Sequence, residues 1–139
     1  MSDVLIELQG VNKSFPVGDT TVQVLKEISF QVRAGEFVAI VGQSGSGKST
    51  LLNMLSGVDR PSSGTVTIAG ERLAGKSEDA LAVWRRTEIG IVFQFFNLVP
   101  GLTLAQNVRL PMDLAGKLPP RKRRARVEAL LTRGGPVRP

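Results

Sequence analysis

An apolar run that leads directly into a glycine-rich loop constrains the fold of this chain more than any other feature of its sequence. Residues 37–41 are all apolar, and a helix with leucines on one face is predicted from Lys48 to Leu55. A continuous apolar run of five residues is typical of a strand buried on both faces of a parallel sheet. The order strand, glycine-rich loop, helix therefore predicts an α/β fold.

The loop between these two elements satisfies the pattern G-x-x-x-x-G-K-[ST]. Its glycines allow the backbone to curl so that successive N–H groups surround a phosphate, and the helix that follows adds its positive N-terminal end. Such a loop predicts that Lys48 binds the β- and γ-phosphates of ATP, that the Ser49 hydroxyl binds Mg²⁺ and that Thr50 donates to the α-phosphate. The candidate nucleotide-binding residues are Gly42, Ser44, Gly45, Ser46, Gly47, Lys48, Ser49 and Thr50.

Further strands and helices are predicted on both sides of the loop. Alternating or apolar runs bounded by turn residues favour strands at residues 4–8, 22–25, 28–32, 65–68 and 89–93. Helical spacing favours helices at residues 77–86, 104–115 and 121–131. Ser77 is the expected N-cap of the first of these helices, and Pro111 interrupts the second.

Charge and composition restrict the function further. The chain has 139 residues with no cysteine and no histidine, which excludes disulfides, thiolate metal sites and imidazole chemistry. No apolar run approaches the roughly 20 residues of a membrane-spanning helix, and the N-terminus is unlike a signal peptide, so a cytosolic location is expected. Residues 117–139 contain eight Lys/Arg and one Asp/Glu. A solvated helix face explains this basic segment, and contact with anionic lipid or nucleic acid are the alternatives. No aromatic residues accompany the basic ones, so nucleic acid is not the expected partner.

Three stretches, the first of which overlaps the loop, resemble the ATPases of ABC transporters. They are Gly45 to Leu52, Gly64-Thr65, and Ile91 to Gln94. Residues 93–100 and 102–108 are most similar to the subfamily that serves lipoprotein-release and macrolide-export permeases. The resemblance implies the N-terminal portion of a P-loop NTPase of the ABC ATPase type. That portion comprises an antiparallel β subdomain, the start of the RecA-like core and the start of the helical subdomain. We expect residues 1–133 to form a partial ATP-binding domain and residues 134–139 to be a disordered tail.

The resemblance also implies roles for two residues outside the loop. Gln94 matches the glutamine that contacts Mg²⁺ and senses the γ-phosphate; the alternative is an ordinary polar residue at a strand end. Phe15 lies where the family places an aromatic side chain against adenine, and the alternative is local core packing. The segment after Gln94 matches the start of the subdomain that touches a membrane permease. The implied location is therefore cytoplasmic, peripheral to the inner face of the membrane when partnered.

Four parts of a complete site of this family do not occur in the sequence. They are a Leu-Ser-Gly-Gly-Gln signature, an apolar strand ending in Asp-Glu (the Walker B motif), a D-loop and a switch histidine. We expect no ATP hydrolysis by this chain alone, because no carboxylate is placed to orient the attacking water. The homodimer of the family is not expected either, since it uses the signature. Three functions remain: an ATPase subunit that powers a permease in the complete protein, a non-hydrolysing nucleotide-binding fragment or pseudogene product, and a nucleic-acid binder. A frameshift or premature stop is a hypothesis for the unusual ending.

Overall fold

The computed structural model describes residues 4–135, which form two compact units. The first unit extends to Leu81, and the second begins at Ala82. Residues 136–139 of the predicted disordered tail lie outside the described residues.

A long antiparallel hairpin forms the centre of the first unit. Strand β1 spans Val4–Val17 and strand β2 spans Thr20–Arg33, joined by a turn in which Gly18 has a φ of 59°. The register pairs Leu8 with Phe30 and Lys13 with Leu25, with several irregularities between them. The turn falls between the strands predicted at residues 4–8 and 22–25, and each predicted short strand is part of a longer one. The hairpin continues through Gly10 because irregular pairing absorbs its left-handed backbone.

Two further strands extend the sheet. Strand β3 spans Ser63–Ile68 and strand β4 spans Glu71–Arg72, so the sheet has the order β2-β1-β3-β4 with antiparallel pairing throughout. Helix α1, Lys48–Leu55, packs against β2 and β3 with Leu51 and Met54 buried. The apolar core of this unit consists of Leu8, Val11, Leu25, Val32, Leu51, Met54, Val66, Ile68, Leu73 and Leu81.

Two predicted strands are wrong. Residues 37–41 and 89–93 have no regular secondary structure, and the first of these segments leaves Phe37 98% and Val41 87% exposed. A strand exists only through hydrogen bonds to a neighbouring backbone, and no segment among residues 4–135 pairs with either run. Apolar composition predicts that a segment needs burial, but it does not provide the neighbouring strand.

The second unit is helical. Helix α2, Glu78–Glu88, begins at the end of the first unit; the Ser77 hydroxyl accepts a hydrogen bond from the Ala80 N–H at 3.2 Å, which confirms the predicted cap. Helices α3, Leu104–Ala115, and α4, Pro120–Arg133, contact each other and lie where the sequence predicted helices. The predicted interruption at Pro111 is wrong, because α3 is one helix that continues through this residue.

Both ends of α3 have well-formed caps. Thr103 and Gln106 form a capping box, with Gln106 N donating to the Thr103 hydroxyl at 3.2 Å and Thr103 N donating to the Gln106 amide oxygen at 2.7 Å. Gly116 ends the helix in the left-handed conformation. Asp113 joins α3 to α4 through a 2.9 Å ion pair with Arg123.

Candidate nucleotide-binding site

The loop from residue 42 to residue 47 has the tight backbone that the sequence pattern predicts. Gly45 and Gly47 have φ values of 79° and 90°, in the region that favours glycine. The Ser46 N–H donates to the Gln43 carbonyl at 3.2 Å. A Cβ atom on Gly42 would lie 2.7 Å from the Ser46 hydroxyl oxygen, so the two ends of the curl approach closely.

The helix that follows the loop leaves its N-terminus available to an anion. Gly47 is the N-cap of α1 and supplies no side-chain hydrogen bond, and the first turn contains no acidic residue. The first N–H groups of any helix have no partner within the helix, and they carry its positive partial charge. Ser49 lies in this first turn and is exposed. The N-terminus of α1 therefore suits a phosphate.

The Lys48 ammonium group lies over the loop. It donates to the Gly42 carbonyl at 2.8 Å, to the Gln43 carbonyl at 2.6 Å and to the Ser46 hydroxyl at 3.4 Å. All three acceptors belong to the predicted loop, so the structure places the lysine, the curl and the helix N-terminus together. The positive charge is held where the pattern predicts a phosphate.

The loop rests directly on the β1–β2 hairpin. A Cβ atom on Gly47 would lie 2.8 Å from Leu25 Cδ2 and 3.2 Å from the Val24 carbonyl oxygen. Real Cβ atoms do not approach other atoms so closely without displacing them. Leu25 pairs with Lys13 of β1, so the hairpin, the loop and α1 form one packed assembly.

Phe15 lies on the same hairpin, two residues beyond Lys13, and pairs with Val22. Its side chain is 37% exposed. The Lys13 Nζ atom lies 4.8 Å from the centroid of its ring. It also donates to the Asp59 carboxylate at 2.6 Å and to the Arg60 carbonyl at 2.7 Å. The sequence indicated neither Lys13 nor Asp59. Lys13 and Asp59 are 46 residues apart in the sequence, so no local pattern predicts their contact.

Gln94 belongs to the second unit. Its side chain is exposed, and it lies in a segment without regular secondary structure between α2 and α3. The neighbouring Phe95 and Phe96 are exposed as well. The role of Gln94 stays a prediction from the sequence resemblance.

Within residues 4–135, no helix has both the length and the apolar character needed to cross a bilayer.

The fold identifies the class of protein. The structure superposes with a TM-score of 0.84 on a dimeric post-hydrolysis state of the ATP-binding cassette MJ0796 bound to ADP and Pi, at 38% identity. That match covers 92% of this chain and 56% of the cassette. A second dimeric structure of the same bacterial ABC transporter cassette gives a TM-score of 0.81 at 40% identity, over 88% of this chain and 53% of that one. The fold is thus that of the N-terminal portion of an ABC ATPase.

The sequence comparisons identify the family. The model of the ABC transporter family matches residues 25–137, and the chain belongs to this family as an ABC transporter ATP-binding domain. An ABC transporter ATP-binding protein of Mycobacterium tuberculosis is 51% identical over 112 residues, which are 81% of this chain and 45% of that protein. The macrolide export ATP-binding/permease protein MacB of Salmonella typhi is 50% identical over 131 residues, 94% of this chain and 20% of MacB. The chain therefore spans half or less of the length of these curated relatives.

Proposed function

We propose that this chain binds ATP with Mg²⁺ through the loop at residues 42–50 and serves as the ATP-binding part of an ABC transporter. The observation that carries the proposal is the position of Lys48. Its ammonium group is held by the carbonyls of Gly42 and Gln43 at the N-terminus of α1, where no acidic side chain competes with a phosphate.

Each residue of the loop has a separate task in this proposal. Lys48 binds the β- and γ-phosphates, Thr50 donates to the α-phosphate, and the N–H groups of the loop surround the β-phosphate. The Ser49 hydroxyl, exposed in the first turn of α1, binds Mg²⁺. For Gln94, a contact with Mg²⁺ is proposed from the sequence resemblance alone. The ion, when bound, neutralises charge on the phosphates. Phe15 stacks on adenine with the part of its ring surface that stays exposed.

We further propose that residues 1–139 by themselves bind ATP without sustained turnover. The sequence contains no Asp-Glu pair and no histidine. Phosphoryl transfer to water needs a group that orients the attacking molecule, and binding alone does not supply it. The chain is in this respect a nucleotide-binding module, whereas the complete protein is an ATPase that powers transport.

The proposed partner is a membrane permease, and the proposed location is the cytoplasmic face of the membrane. The support is the family and the relative MacB, whose name joins an ATP-binding part to a permease. Dimeric structures of the cassette that this chain resembles exist. We propose that this chain alone does not form that dimer, because the signature sequence that the family uses for it is not among its 139 residues.

The decisive experiment is calorimetry of ATP–Mg²⁺ with the full chain, its Lys48→Ala variant and a Lys26→Ala control. Lys26 is an exposed lysine on β2 that makes no ion pair within residues 4–135. We expect binding by the native chain and by the control, and its loss in Lys48→Ala with an unchanged circular dichroism spectrum. Binding that survives Lys48→Ala would refute the site. Steady-state phosphate release by the native chain that is lost in Lys48→Ala would show that the chain hydrolyses ATP, and would refute the proposal that it only binds ATP.

A further inference from the structure

One side of helix α4 consists of cations and small residues only. Successive residues of an α-helix are rotated by about 100°, so Arg121, Lys122, Arg126 and Arg133 fall within an arc of about 140°. The buried Val127 lies on the opposite side of the helix. Ala125, Ala129 and Thr132 lie between the cations, and all seven residues of the arc are exposed. We call Arg121, Lys122, Arg126 and Arg133 the basic face.

Three carboxylates of the second unit pair with cations outside the basic face. Glu128 pairs with Arg124 at 3.3 Å, Asp113 pairs with Arg123 at 2.9 Å and Glu88 pairs with Lys117 at 3.6 Å. None of the four cations of the basic face makes an ion pair within the part of the chain that the structure describes. Their charge is therefore directed to solvent without local compensation.

The position of this charge does not favour the helix itself. Arg121 and Lys122 lie in the first turn, where the helix already carries positive partial charge. Pro119 is the N-cap and provides no side-chain hydrogen bond, and the first turn has no acidic residue. Cations at this end oppose helix formation, because they are repelled by the positive end of the helix dipole. An external polyanion would remove this conflict, since it would neutralise both the side chains and the helix end.

We propose that the basic face binds the surface of an anionic phospholipid membrane. The face has no aromatic side chain for stacking and no Asn or Gln for reading bases, and alanines separate its cations. Nonspecific electrostatic attraction of this kind suits lipid headgroups. Membership of the ABC transporter family also associates the chain with membranes. The inference is separate from ATP binding, because none of these residues belongs to the proposed nucleotide site.

The expected strength follows from the number of cations. A Lys or Arg near an anionic bilayer strengthens binding by about fivefold, so four of them together supply at most a few hundredfold at low salt. The attraction decays within about 8 Å at physiological ionic strength. Binding should accordingly weaken steeply as salt is added.

The test is sedimentation of the full chain with vesicles of phosphatidylcholine containing about one third phosphatidylglycerol, beside vesicles of phosphatidylcholine alone. The variant replaces every cation of the basic face with glutamine, which keeps helix propensity. The matched control loses the same charge at four exposed cations without ion pairs among residues 4–135: Lys26→Gln, Arg33→Gln, Arg72→Gln and Arg86→Gln. Circular dichroism verifies that the variant retains α4.

We expect binding to the anionic vesicles only, reduced at least about tenfold in the basic-face variant and less than about threefold in the control. Lys48→Ala should sediment with vesicles like the native chain, which separates this inference from the nucleotide site. Equal loss in both glutamine variants would mean that net charge, not the face, drives binding, and would overturn the proposal. Tighter binding of the same face to a single-stranded oligonucleotide at equal salt would overturn it in favour of nucleic acid.

Discussion

The ammonium group of Lys13 lies 4.8 Å from the centroid of the Phe15 ring and 2.6 Å from the Asp59 carboxylate. One cation therefore covers a face of the proposed adenine-stacking ring and ties β1 to the segment after α1. The Lys13 side chain is only 12% exposed and the Asp59 side chain 29%. An adenine base stacked on Phe15 could use only the part of the ring surface that the Lys13 ammonium group does not cover.

The Lys13–Asp59 pair should stabilise the first unit more than an exposed ion pair does. Lys13→Met keeps the length of the side chain but leaves the Asp59 carboxylate without its charged donor. The free energy of unfolding should fall by about 1–3 kcal/mol in urea titrations, as for partly buried charged hydrogen bonds. The control is Lys76→Met, which breaks the more exposed 2.8 Å pair with Glu71 and should cost less than about 1 kcal/mol. Equal losses would contradict a special role for Lys13.

Phe15 provides a test of the proposed adenine contact. Phe15→Leu keeps an apolar side chain but removes the π face, and base–aromatic stacking is typically worth about 1–3 kcal/mol. The dissociation constant for ATP should rise about tenfold in calorimetry, and Phe15→Trp should retain native affinity. Unchanged ATP affinity in Phe15→Leu would assign the ring to local packing instead.

Gly64 and Gly75 form a matched pair for measuring a backbone collision. Both have a φ of 84°, but a Cβ atom on Gly64 would lie 2.3 Å from the Gly10 carbonyl oxygen, whereas one on Gly75 would meet nothing within 4 Å. Gly75→Ala should cost about 1–2 kcal/mol for the left-handed backbone alone. Gly64→Ala should cost at least about 2 kcal/mol more, because β3 must move away from β1. Thermal and urea unfolding of the two variants would give the difference in their free energies of unfolding. Similar values would show that β3 can move away from β1 at little cost.

The helices could be predicted from the sequence because their signals are local. Lys48 and Leu55 mark the ends of α1 in both the sequence pattern and the structure, and the Ser77 hydroxyl caps α2 as expected. Residues 37–41 show the opposite case. Their apolar run predicts burial in a parallel sheet, yet pairing depends on a second segment, and none of residues 4–135 provides it. The Lys13–Asp59 contact was hidden for the same reason, since it depends on tertiary structure.

The capping box of α3 should have a measurable effect on the second unit. Thr103→Ala removes the hydroxyl that accepts from Gln106 N, and such caps contribute about 1 kcal/mol. Thr132→Ala is the control: the Thr132 hydroxyl donates to the Glu128 carbonyl at 2.8 Å inside α4, where alanine is the better helix former. Helical circular dichroism during thermal unfolding should show destabilisation by Thr103→Ala and none by Thr132→Ala. Identical midpoints would show that α3 does not depend on its cap.

Asp113 should make the α3–α4 pair sensitive to acid. Hydrogen bonding to Arg123, and secondarily to Arg109, lowers the pKa of this carboxyl below its usual value, although partial desolvation acts in the opposite direction. Because the pKa is lower in the folded state, the ionised carboxylate stabilises this unit at every pH above the unfolded value of about 3.9. That stabilisation is lost as the pH falls below the unfolded value and through the folded one.

Asp113→Asn should therefore destabilise the second unit at neutral pH and flatten the acid limb of its stability curve, since the variant has no proton to gain at this position. Urea unfolding followed by helical circular dichroism between neutral pH and the acid limit would measure both effects. Asp19→Asn, in the exposed β1–β2 turn, is the control and should keep the native acid limb, because Asp19 makes no ion pair within residues 4–135. If Asp113→Asn loses stability with falling pH as steeply as the native chain, the acid response must come from other carboxylates.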